Sequence, residues 1–404
     1  MESGKINTQL QTARRERIIA LDLLRGFFMF GVIVDHTPWA PTLFSLLSGG
    51  GALFISPAEG FFVISGLLVG YLYGPKILTN TREIVKKLWK RAGMLYLLSI
   101  GFTLLYVSWA LLLPEYKVPL PMWHKSIESF VVNLLTARYS YGWTDFLPRY
   151  AVFMLVSPLL LWMIAKGKWW IIGIISVATW GVLGRVELFM PFAAWQMLFI
   201  GGMVIGYYLP AMKTFWNEKL SPLMRRNVQA SVSIFSVTSF TFLIFGLLIV
   251  PYVNAKLGIQ LTPALTAFLT NISGYFDKQT LGIGRVALGI LYFATLYLFI
   301  RQHEQAIERI TKGALSVYGK NSLFVYGLHC FVLFGIWTIF APFNNANVIV
   351  NTAITSGILA LIYLITRYRH SITSGLRWLE LQYRYEAPRI RSQDLTRQVE
   401  YSDS

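Results

Sequence analysis

One stretch of the chain carries more chemistry than its apolar surroundings would lead one to expect. It reads Ile18-Ile-Ala-Leu-Asp22-Leu-Leu-Arg25-Gly-Phe-Phe-Met-Phe-Gly-Val-Ile-Val-Asp35-His36-Thr-Pro38. On a helix, positions 22, 25, 29, 32 and 36 advance by three or four residues, so Asp22, Arg25, Met29, Val32 and His36 share one stripe. Arg25 and His36 lie about 16 Å apart along an axis that rises 1.5 Å per residue. A permanent cation then sits toward one end of the stripe and a titratable base near the other. That combination offers a grip for an anion and a general base on a single helix. Asp22, one turn before Arg25, can neutralise or orient it. The plainer alternative is a structural Asp22–Arg25 ion pair, with Asp35 and His36 capping the helix end.

The elements that position these residues are set by composition. Of 404 residues, 55% are hydrophobic and only 14% are charged, against about a quarter charged in soluble domains. This excludes a secreted disulfide scaffold, a collagen-like or disordered chain, and a soluble enzyme with one anchor. The single cysteine, Cys330, excludes an intramolecular disulfide and a cysteine-built metal centre. The fold expected is an all-α polytopic membrane bundle. Ten apolar segments are long enough to span, at roughly 18–38, 52–73, 92–113, 147–165, 169–186, 190–210, 229–250, 281–300, 317–341 and 347–366.

The net charge of +17 gathers in alternate connections, as at Lys76 to Arg91 and Lys213 to Arg226. That pattern reads as membrane orientation and not as nucleic-acid binding, and it places both termini in the cytoplasm. The expected organisation is a cytoplasmic arm over 1–17, a transmembrane domain over 18–366 and a cytoplasmic tail over 367–404. Within it, the outer segment 114–146 should carry an interfacial helix from Ser126 to Thr136. The first apolar segment is too charged and too long for a cleavable signal. No internal repeat is evident, which argues against an inverted-repeat transporter.

Intramembrane ionisable residues are candidate functional groups by default. Glu59, in Ser56-Pro-Ala-Glu59-Gly, falls at a depth similar to His36 and can orient that imidazole; as an alternative it is an interfacial carboxylate. Asp35 points about 100° away from His36 and is the weaker direct partner. His329, beside Cys330, either is a satisfied structural histidine or lines the cavity. Lys320 lies near the cytoplasmic mouth, and His124, His303 and His370 read as solvated. Trp39, Trp109, Trp123, Trp143, Trp169, Trp170, Tyr207 and Tyr208 read as an interfacial belt, with sugar stacking as the alternative for the outer ones. No His/Asp/Glu set has metal-ligand spacing, and no phosphate loop lies between a strand and a helix.

Arg25, ten intervening residues and His36 resemble the Arg-X10-His signature of the acyltransferase-3 superfamily. Phe61-Phe-Val-Ile-Ser-Gly66 resembles its second-span motif, and Arg91 in Trp89-Lys-Arg-Ala resembles its third. More narrowly, the chain is similar to the OpgC family, whose members attach succinyl groups to periplasmic glucans. The stretches that carry this are Leu21-Asp22-Leu-Leu-Arg25-Gly, Asp35-His36-Thr-Pro38, Ala58-Glu59, Tyr73-Gly74, Asp145-Phe-Leu-Pro148-Arg-Tyr150 and Ala194-Trp195-Gln196-Met-Leu-Phe199. The resemblance runs over the first half and thins after about residue 210.

The resemblance implies a multi-pass inner-membrane O-acyltransferase that uses succinyl-CoA or acetyl-CoA as co-substrate, with no permanently bound cofactor. His36 would be the general base, with Asp35, Glu59 or Asp145 orienting it or the acceptor. Arg25, Arg91 and Lys320 would hold the CoA, and Asp22, Gln196 and His329 would lie on the substrate side. The expected partners are the bilayer, acyl-CoA, a periplasmic glucan or other glycan, and a second copy of the chain as a homodimer. The rival readings are transmembrane N-acetylation of an amino sugar, a proton-coupled transporter using Asp22, Arg25 and His36, and a scaffold subunit of a glucan synthase.

Overall fold

The computed structural model describes residues 18–112, 126–186, 190–258, 262–340 and 347–369. The arm over 1–17, the tail beyond 369, His124 and His370 lie outside them. Among the described residues the chain is helical, with no strand. Among the described residues seven helices are long and apolar enough to cross a membrane, and each falls on one of the ten predicted segments.

The helices used below are α1 (Ile19–His36), α2 (Pro57–Tyr73), α3 (Thr81–Leu112), α4 (Ile127–Leu135), α5 (Phe146–Ala165), α6 (Trp169–Val182) and α7 (Met190–Glu218). They continue with α8 (Pro222–Ile244), α9 (Pro263–Ile272), α10 (Ile283–Gln302), α11 (Glu304–Ile310), α12 (Ala314–Lys320) and α13 (Ser322–Phe340). The last helix, α14, is Val348–Arg369. A helix, α4, lies within the stretch Ser126 to Thr136, capped by Ser126, whose hydroxyl accepts from the Ser129 N–H at 3.2 Å.

Three of the predicted segments depart from a simple span. Helix α1 carries Asp22, Arg25 and Asp35, and it is tolerated because it lies inside the bundle: 12 of its 18 residues are buried. A helix covered on most sides is a core helix, and α1 packs against α2, α10, α12 and α13. Helix α6 has only 14 residues. The segment 317–341 is two helices, broken at Asn321, whose side-chain amide donates back to the Val317 carbonyl at 2.8 Å.

Two other boundaries were placed differently by sequence. Helix α3 begins at Thr81 and runs for 32 residues, about 48 Å at 1.5 Å per residue. Most of the basic stretch expected to be a connection is therefore the N-terminal part of this helix, with a Glu83–Lys87 pair at 2.5 Å. Helix α8 passes through a π-turn, Phe245–Ile249, into Val250–Leu257. Pro251 has no N–H and would clash with the carbonyl four residues back; one wider turn accommodates it.

Glycines set the closest approaches. A Cβ at Gly66 would lie 1.9 Å from the Phe199 carbonyl oxygen, and one at Gly70 would lie 2.0 Å from that of Met203. From the other side, Gly202 faces the Val63 oxygen at 2.1 Å and Gly206 that of Leu67 at 2.0 Å. Helices α2 and α7 thus meet backbone to backbone through two reciprocal Gly-x-x-x-Gly stripes. The same device joins α1 to α12, where Gly26 faces the Leu315 oxygen and Gly319 that of Asp22. These contacts fix the register of α1 against α12 and of α2 against α7.

Candidate active site

Arg25 projects from α1 and donates through Nη2 to the hydroxyl of Ser322, the first residue of α13. The break at Asn321 is what brings that hydroxyl to the guanidinium. Arg91 of α3 comes to the same place, with its guanidinium carbon 5.6 Å from the Tyr150 ring centre. Its buried Nε has no hydrogen-bond partner among the described residues. The two arginines line a small cavity with Phe61, Phe146, Tyr150, Ser322, Leu323 and Tyr326. At about 10 Å³ it has room for roughly one water.

Tyr326, a wall of that cavity, leads directly to the histidines. Its hydroxyl donates to the Trp143 carbonyl, and its own carbonyl lies 2.5 Å from His329 Nδ1. His329 Nε2 is 3.1 Å from His36 Nδ1. His329 is fully buried, and the two imidazoles are nearly parallel, with ring centres 5.3 Å apart. His36 also stacks on Trp143, with ring centres 5.9 Å apart. The backbone of Trp143 is pinned from α13, because its carbonyl receives the Tyr326 hydroxyl and, at 3.7 Å, the Cys330 thiol.

The sequence reading missed His329 as the partner of His36 and placed Trp143 in the interfacial belt. Helical spacing links residues on one helix; it does not register α1 against α13 or against the turn before α5. Other belt members are also inside the bundle: Trp39 and Tyr207 are buried. Trp169 and Trp170 are exposed on α6.

Glu59 does not hydrogen-bond to His36. Its Oε2 accepts from the Ser56 N–H at 2.9 Å and from the Ser56 hydroxyl at 2.5 Å, closing a capping box at the start of α2. Its Oε1 accepts from Arg285 of α10. Both side chains of this ion pair are buried, and Arg285 donates further to the Phe276 carbonyl at 2.9 Å. The Ser-x-x-Glu spacing before an apolar run was the available signal for the cap; the distant Arg285 left none.

The remaining predicted residues separate. Asp22 is buried in the first turn of α1, under Gly319. Asp35 is half-buried near Ser48, which ends a short helix, and Gly51 just after it, and its Oδ1 has no hydrogen-bond partner among the described residues. Asp145 accepts from Arg149 at 2.8 Å at the start of α5. Gln196 is committed to structure: its amide donates to the Ser176 and Ala193 carbonyls at 2.7 and 3.1 Å and accepts from the Ser176 hydroxyl at 2.8 Å. Lys320, expected inside a span, is exposed at the end of α12. Among the described residues no group of three His, Cys, Asp or Glu side chains is placed to hold a metal.

Fold and site together define an all-helical, multi-pass membrane protein with paired arginines and paired histidines arranged along its core helix. The chain belongs to the OpgC family: the family model described as OpgC protein matches residues 17–374, well beyond the first half that carried the resemblance. Membership implies a transferase, and the family suggests a membrane acyltransferase acting on glucans. No match was found among curated proteins or among solved structures.

Proposed function

We propose that the protein transfers an acyl group, succinyl or acetyl, from cytoplasmic acyl-CoA to a hydroxyl of a periplasmic glucan, across the inner membrane and in the manner of the acyltransferase-3 superfamily. The observation that carries this reading is the shared wall: Tyr326 lines the cavity of Arg25 and Arg91 and also contacts His329, the partner of His36. Arg25 and Arg91 bind CoA phosphates on the cytoplasmic side through charge-assisted hydrogen bonds. The pantetheine arm covers the distance to His36, on the order of 16 Å along α1, once the cavity opens around it.

At His36 the acceptor hydroxyl gives its proton to the imidazole as its oxygen bonds to the thioester carbonyl carbon. The C–S bond then breaks, and the CoA thiolate leaves and takes the proton from His36. The product is an O-acyl glucan and free CoA, with both termini of the enzyme in the cytoplasm.

The test is acyl transfer in lipid nanodiscs, with succinyl-CoA or acetyl-CoA and a β-glucan, the product read by mass spectrometry. One acyl increment per modified hydroxyl is expected with the wild type and none with His36→Ala. Arg25→Ala should raise the KM for acyl-CoA roughly tenfold or more, as loss of a charge-assisted bond implies. No acylated product from the wild type with either donor would overturn the reading and favour transport.

A further inference from the structure

We infer that His329 is a positioning residue that fixes which ring nitrogen of His36 is bare; its catalytic consequence rests on the acyl-transfer reading above. The argument starts at an atom with no choice of role. The Tyr326 carbonyl oxygen can only accept, so His329 Nδ1, 2.5 Å away, carries the hydrogen. In a neutral imidazole the other nitrogen then holds a lone pair. That nitrogen, His329 Nε2, lies 3.1 Å from His36 Nδ1, so His36 Nδ1 must be the N–H. The lone pair of His36 is thereby left on Nε2, the tautomer that free histidine disfavours.

The surroundings keep the arrangement in place. The imidazoles are tilted by only 24°, which lets the His36 N–H lie near the plane of the His329 lone pair. Trp143 stacks on the His36 ring at 19°, and rotation of the His36 ring would break both contacts. His329 is itself held by the backbone of its own helix, one turn back, and is wholly shielded from water.

The arrangement does for His36 what a buried carboxylate does in a Ser-His-Asp triad: it sets the tautomer and supports the imidazolium. When His36 Nε2 takes the acceptor's proton, Nδ1–H still donates to His329 Nε2. Part of the positive charge is carried onto the second ring and the Tyr326 carbonyl. The proton on Nε2 leaves with the CoA thiolate, and the dyad returns to its starting state.

The experiment compares His329→Leu and His329→Gln in nanodiscs. His329→Leu should lower kcat by roughly a hundredfold or more while changing the KM for acyl-CoA by less than about threefold. The side-chain carbonyl of His329→Gln can accept from His36 Nδ1–H, so this variant should recover at least about tenfold of that loss. Undiminished kcat in His329→Leu would overturn the inference, as would a Gln variant no better than Leu. A second readout needs no activity: ¹⁵N resonances of labelled histidine in the wild type should show His36 protonated at Nδ1 and bare at Nε2. A proton on Nε2 overturns the tautomer assignment even if acyl transfer is established. A bare Nε2 in a protein with no transfer activity upholds it and defeats the acyl-transfer reading alone.

Discussion

The contact between α2 and α7 gives the sharpest test of the architecture that holds the site. Consider Gly66→Ala. The new Cβ would sit 1.9 Å from the Phe199 carbonyl oxygen and 3.0 Å from the Met203 nitrogen. These are backbone atoms and cannot rotate away. To reach a tolerable separation of about 3.2 Å the helices must part by roughly 1.3 Å, and a gap of 0.5–1 Å already forfeits a quarter to a half of each contact's well. If about 40 heavy-atom contacts of 0.1–0.2 kcal/mol lose half their depth, the cost is about 2–4 kcal/mol, at or above the usual range for overpacking. Gly202→Ala meets the Val63 oxygen at 2.1 Å and should cost about the same.

The control is the neighbouring residue. Nothing lies within 4 Å of a Cβ at Gly201, and alanine favours a helix over glycine, so Gly201→Ala should be neutral. Heating purified protein in steps and measuring the folded fraction by size-exclusion chromatography separates the cases. Gly66→Ala and Gly202→Ala should lose about 5 °C or more in midpoint, with Gly201→Ala unchanged. Wild-type midpoints for Gly66→Ala and Gly202→Ala would refute the backbone-to-backbone packing of these helices.

Two further outcomes are expected by the same assay. Arg285→Leu leaves the Glu59 carboxylate buried without its cation and should cost about 3–5 kcal/mol; adding Glu59→Gln should restore much of it, since the ion pair as a whole contributes far less than breaking it costs. Gln196→Leu removes the bonds to the Ser176 and Ala193 carbonyls and the acceptor of the buried Ser176 hydroxyl, and should destabilise by about 1–3 kcal/mol. The KM for acyl-CoA and for the glucan should stay within about twofold in that variant, because the Gln196 amide is already committed to α6 and α7.

Composition and apolar run length were enough to foresee a helical membrane bundle, because each spanning helix satisfies its backbone within itself and needs only a long apolar segment. The stripe of Asp22, Arg25 and His36 was legible for the same reason: its geometry is fixed by the pitch of one helix. Some local signals were present and read differently. Ser56-Pro-Ala-Glu59 is a capping box, and the small residues at Gly66, Gly70, Gly202 and Gly206 mark close packing, but neither names the partner across the gap. Helix ends were misjudged where packing overrides hydropathy, as at Thr81 and Asn321.

What tertiary structure alone decided is which side chains meet. His36 was given by sequence as a base; that it faces His329 and Trp143 depends on how α1, α13 and the turn before α5 are registered. Arg25 was given as a buried cation; that it shares a cavity with Arg91 depends on α3 crossing near Ser322. Glu59 went to Arg285, not to His36, because α10 delivers a guanidinium to the start of α2, and a buried carboxylate is stabilised most by a buried cation with hydrogen bonds to donate. Helical pitch is a property of the local chain and can be read along it. Registry between helices is set by the steric fit of distant glycines and carbonyls, and it exists only once the bundle is assembled.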